Sequence, residues 1–133
     1  MHIKKLLRPR IIFLAALIFT IIATIAFLMP STKIPSVKID TPIEIDKMVH
    51  FGVHFILVLS WLVYYARHTV IVKKSSIFFI ALSCVVYGII IEVLQGMTKT
   101  RGADFADVIA NMIGTGLGVL VFLVLKSKIK MKA

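Results

Sequence analysis

The stretch SSIFFIALSCVVYGIIIEVLQGM, residues 75–97, decides the fold. It holds one charged side chain, Glu92, in a run long enough for a helix to cross hydrocarbon, which takes about 20 residues. Working outward, residues 11–29 form an uncharged apolar run behind Lys4, Lys5, Arg8 and Arg10. That start resembles a secretory signal, but the run is long and no A-x-A cleavage site follows, so it reads as a retained anchor ended by Pro30. Thr41-Pro42-Ile43-Glu44 combines a capping residue, a proline at the first helical position and a glutamate at the third. It starts a helix over 42–66. Ser75 or Ser76 caps the helix over 75–97. Lys99 to Ala103 is a tight polar connection, and Asp104 caps a fourth helix over 104–125. The expected fold is an all-α membrane protein of four transmembrane helices, one domain over residues 1–133.

Composition agrees. The chain is 59% hydrophobic with a mean hydropathy of +1.00, more apolar surface than a soluble fold of 133 residues can hide. Its net charge of +10 raises nucleic acid or anionic lipid as partners, and the placement of the charges decides between them. Eleven of the 16 basic residues lie in the N-terminal segment, the 67–74 turn and the C-terminal tail, which four spans put on one side. The acids (Asp40, Glu44, Asp46, Glu92, Asp104 and Asp107) fall at or near the other end. The positive-inside rule then makes both termini cytoplasmic in a bacterial-type plasma membrane. The charge is an orientation signal, membrane lipids are the expected surroundings, and no nucleic-acid partner is expected. Cys84, the single cysteine, excludes an intrachain disulfide and a CxxC pair, and reads as a small buried filler.

Polar residues line up on three of the helices. At about 100° per residue, Asp46, Lys47, His50 and His54 share one sector, and Cys84, Gly88, Glu92, Gln95 and Gly96 another. Asp104, Asp107, Asn111, Gly114, Thr115 and Gly118 share a third. Lipid satisfies none of these groups, so the stripes are expected to face one another. Gly114 and Gly118 make a small-xxx-small face for close helix packing. The first helix has only Thr20 and Thr24 and reads as a brace. Several residues have plainer roles open to them. Asp104 and Asp107 suit a helix N-terminus, Gln95 and Asn111 suit interhelical hydrogen bonding, and His54 suits a satisfied core. Glu92, roughly 7 Å inside the span by helical rise, needs a partner such as Lys47, Arg101 or a histidine.

The ordered set Asp46-Lys47-x-x-His50-Phe51, Glu92-x-x-Gln95 and Arg101-x-x-Asp104-x-x-Asp107-x-x-x-Asn111-x-x-Gly114-x-x-x-Gly118 resembles the VanZ-like family. The resemblance covers about residues 42–120. It implies a membrane location and a cell-envelope role, and the family's namesake is associated with resistance to the glycopeptide teicoplanin. It implies no particular reaction.

Three functional readings stand at this level. In the first, a polar pocket near the outer face binds an anionic, lipid-linked or cell-wall-related ligand and influences glycopeptide sensitivity. Lys47 and Arg101 would hold its phosphate, while Gln95 and Asn111 would orient the head group. In the second, the chain is a membrane-embedded hydrolase or transferase, with Glu92 and His50 in acid–base roles and Arg101 stabilising charge. No nucleophilic serine or cysteine motif accompanies them, and no residue is assigned as catalytic. In the third, it is a purely structural membrane subunit. His50 and His54 at i, i+4 with Glu92 have zinc-like spacing, but H-E-x-x-H is missing, so neither metal nor cofactor is expected.

Overall fold

A computed structural model describes residues 9–30 and 44–131, with side chains placed as far as residue 128. Residues 1–8, 31–43 and 132–133 lie outside it, and with them Asp40 and the Thr41-Pro42-Ile43 part of the expected helix start. Four helices make up the described chain: α1 Pro9–Leu28, α2 Ile45–His68, α3 Lys74–Gly96 and α4 Phe105–Met131. All four are long and apolar enough to cross a membrane. No strand occurs among the described residues.

The helix ends differ from the sequence reading in ways that have local causes. α2 begins at Ile45, with Glu44 in an extended conformation at the cap and making no side-chain cap bond, so Glu44 is not a third-position capping-box residue. α3 starts one residue early, capped by the Lys73 backbone instead of a serine side chain. α4 continues past Leu125 to Met131. Lysine is a good helix former, so a charged tail need not end a helix that is already nucleated. Asp104 does cap α4: its Oδ1 accepts the Ala106 N–H at 2.8 Å.

Successive helices run antiparallel. Phe13 lies against Tyr64 at one end of the α1–α2 pair, and Phe27 against His50 at the other. α2 and α4 therefore run parallel, and glycines bring them together. A Cβ on Gly114 would collide with the Phe51 carbonyl, and one on Gly118 with Val58. Beside this seam lies a compact apolar core that includes Leu57, Val58, Leu62 and Phe122. Ile18, Ile22, Ile25, Phe78, Phe79 and Val124 face outward, the arrangement expected of surfaces that lipid covers. α1 braces the bundle through two polar contacts: Thr24 Oγ1 lies 2.9 Å from the Tyr87 hydroxyl, and the Trp61 indole N–H donates to Thr20 Oγ1.

Candidate functional site

The alternating topology brings the end of α1, the start of α2, the end of α3 and the start of α4 to one end of the bundle. Every described carboxylate sits there: Glu44, Asp46, Glu92, Asp104 and Asp107. Four side chains form the interior of this acidic end. His50 is fully buried, and Glu92, Asp107 and Asn111 are nearly so. His50 Nδ1 lies 3.1 Å from Asn111 Oδ1 and 3.3 Å from Glu92 Oε1. Both are acceptor oxygens, so Nδ1 faces them as a donor. Nε2 points toward Asp107 Oδ2, 3.8 Å away, too far for a hydrogen bond. The other Glu92 oxygen accepts the Asp104 backbone N–H at 3.3 Å. Glu92 thus has the histidine neighbour that its burial demands, and the three polar stripes do converge.

The two cations form the rim. Lys47 Nζ lies 2.5 Å from Glu44, 3.1 Å from Asp104 and 4.0 Å from Asp107. The Arg101 guanidinium donates to the Phe27 carbonyl at 2.9 Å and faces Asp46 at 3.7 Å. Gln95 Nε2 donates to the same carbonyl at 2.8 Å. Gln95 and Arg101 together therefore satisfy a carbonyl that the end of α1 leaves open. Asp104 is held below the ordinary carboxylate range, first by the Ala106 N–H it accepts and then by Lys47.

Sequence patterning missed Phe27. Its ring stacks on His50 with centroids 4.5 Å apart, closing one side of the site. A phenylalanine in an apolar run carries no mark of such a role, and α1 proves to be a wall of the site as well as a brace. His54 lies one turn below His50, fully buried, near Tyr87 and the backbone of Gly88. A Cβ on Gly88 would come within 2.7 Å of its ring, so the glycine makes room for the histidine.

Several buried polar atoms of this end have no hydrogen-bond partner: His50 Nε2, both His54 ring nitrogens, Glu92 Oε1, Asp107 Oδ1, Asn111 Nδ2 and Thr115 Oγ1. Buried polar atoms are ordinarily paired, so this concentration marks a place built to receive water, an ion or a ligand group.

A family model described as VanZ/LLP1 matches residues 8–126. The chain belongs to the VanZ/LLP1 family. The match takes in α1, which carries none of the spaced motifs, and so treats all four helices of this VanZ/LLP1 protein as one pattern. No curated protein and no solved structure matches the chain.

Proposed function

We propose that this VanZ-like membrane protein binds the head group of an anionic, lipid-linked ligand at the outer face of the plasma membrane. Both termini are cytoplasmic in this reading, because the basic residues gather at the end opposite the site. One observation carries the reading: a buried cluster of His50, Glu92, Asn111 and Asp107 holds unpartnered polar atoms behind a rim of Lys47 and Arg101. Lipid leaves such groups unsatisfied at a cost of several kcal/mol each, on the order given for unpaired polar groups in hydrocarbon. A polar head group relieves that cost. Farther along the bundle, Thr20, Leu57, Trp61, Phe79, Cys84 and Tyr87 border an apolar cleft of about 330 Å³, suited to a hydrocarbon tail. Occupancy of the head-group site would influence glycopeptide sensitivity, since such antibiotics act on outer-face wall precursors.

Genetics and expression measured in one strain test this. Glu92→Gln and Arg101→Ala are expected to abolish the glycopeptide phenotype while protein level stays near that of the parent. A fully active Glu92→Gln, Arg101→Ala double variant would leave only a structural bundle. For orientation, a cysteine at position 99 is expected to label from outside intact cells and one at position 128 not to. The reverse pattern sinks the outer-face assignment.

A second reading, a membrane-embedded enzyme, draws on the His50 geometry. A buried imidazole with Nδ1 against a carboxylate and Nε2 free is arranged as a general base. Turnover of a lipid substrate by the purified protein, lost in His50→Gln, would favour it over simple binding.

A further inference from the structure

We propose that the acidic end holds a divalent metal ion, Zn²⁺ or Mn²⁺, ligated by Asp46, His50 and Asp107. One ligand atom from each lies within 4.8 Å of the other two. Tetrahedral ligands at the usual bond length of about 2.0–2.1 Å stand roughly 3.4 Å apart, so the three need to close by at most about 1.4 Å where they are widest. Asp46 can make most of that adjustment, because its side chain is about half exposed. His50 and Asp107 are fixed by burial.

The independent observation is the state of His50. Its Nε2 is fully buried, has no hydrogen-bond partner and lies 3.8 Å from Asp107 Oδ2, a gap between two potential metal-ligand atoms. A cation held between the two would satisfy both buried atoms at once. The other ring nitrogen is engaged as a metal-bound imidazole requires. Nδ1–H meets Asn111 Oδ1 and the Glu92 carboxylate, the outer-shell arrangement that fixes the tautomer and raises ligand basicity. Asp107 Oδ1 is a second buried atom without a hydrogen-bond partner.

Charge points the same way. Five described carboxylates gather at this end against three described cations, Lys47, Lys99 and Arg101, a formal balance of −2 with histidine neutral. That balance repels an anion and suits a divalent cation. Lys47 lies at 4.0 Å from Asp107 Oδ1 and Arg101 at 3.7 Å from Asp46 Oδ1, so each acid keeps a second oxygen for the ion. One imidazole with two carboxylates suits Zn²⁺ or Mn²⁺ better than Ca²⁺ or Mg²⁺, which prefer all-oxygen sets. Three protein ligands leave a coordination position open. A phosphate oxygen could take that position, so the ion would recruit an anionic head group to an otherwise acidic site. This last step rests on the proposed function. The metal site itself does not.

The test uses the metal alone. Protein purified in detergent, stripped with chelator and freed of any affinity tag is titrated with Mn²⁺ by electron paramagnetic resonance and with Zn²⁺ by calorimetry. One ion per chain is expected, with a rise in Tm on binding. Asp46→Asn and Asp107→Asn should weaken binding at least tenfold, and Glu92→Gln, one shell out, about 10- to 100-fold. His68→Gln, at the opposite end, should leave it unchanged. Asp46→Asn guards against misfolding, because a half-exposed side chain can be changed without disturbing the core. No saturable binding by the folded parent, or binding that Asp46→Asn and Asp107→Asn leave intact, overturns the site. Lipid head-group binding without metal binding also overturns it, whereas metal binding without any lipid ligand defeats the proposed function and leaves the metal site standing.

Discussion

The two ends of this bundle handle charge in opposite ways. At the acidic end, charged groups are drawn inward and joined across helices: every ion pair among the described residues lies there, linking α2 with the preceding loop, α3, the 97–104 connection and α4. At the basic end, Arg10, Lys73, Lys74, Lys126 and Lys128 are exposed. Exposed charges are solvated by water or lipid head groups and need no partner, whereas a carboxylate inside a span needs one. Lys73, Lys74, Lys126 and Lys128 at one end stay exposed, whereas Glu92 and Asp107 at the other are buried beside His50 of a neighbouring helix. The number of charges matters less than their depth.

The contrast can be broken at its base by separating α2 from α4. Gly114→Leu sets a side chain against the Phe51 backbone, which cannot swing aside as a side chain would. A loss of about 1–3 kcal/mol or more is expected, as for overpacking, read as a collapse in folded yield and in resistance to denaturant. Normal stability would mean that the α2–α4 seam is looser than described.

His50→Ala comes next. It removes the partner of Asn111 and the neighbour of Glu92, leaving buried polar groups unpaired at a cost of about 1–3 kcal/mol. Lys126→Gln with Lys128→Gln, at the other end, should change stability by less than about 0.5 kcal/mol, while weakening the orientation signal. Equal effects at the two ends would erase the distinction between them. A smaller change is expected where α1 braces the bundle. Thr24→Val, which removes the contact with Tyr87, should cost about 0.6 kcal/mol, the average found for interhelical hydrogen bonds in membranes.

The smallest effect concerns pH. Asp104 is held below its ordinary range by the Ala106 N–H and by Lys47, so its folded form favours the carboxylate. The stabilisation is present above the ordinary carboxylate pKa of about 3.9. It is lost as pH falls through the lower folded value. Asp104→Asn keeps a capping side chain but removes the charge. Its Tm should therefore fall less than the parent's below about pH 4, a shift best read in low salt. Parallel acid limbs would show that Asp104 acts only as a cap.

The sequence by itself determined the number and approximate limits of the helices. Hydropathy over 20-residue windows records the requirement that hydrocarbon imposes on each segment separately. It also determined that Asp46, His50, Glu92, Asp107 and Asn111 would share an end, because alternating direction and helical period follow from local geometry alone. Asp104 as a cap and Gly114 and Gly118 as a close-packing seam were legible for the same reason. Tertiary structure decided what those residues do to one another. Distances between helices fixed His50 Nδ1 on Asn111 and left Nε2 facing Asp107, a contrast that no spacing encodes. They engaged Lys47 and Arg101 with the protein's own carboxylates, where the sequence offered both cations to a ligand. They also set Phe27, an unmarked residue in an apolar run, against the imidazole. Patterning along a chain reports which face a residue shares with its own helix. Which atom meets which across the gap depends on the rotation and separation of helices that touch only after the chain has folded.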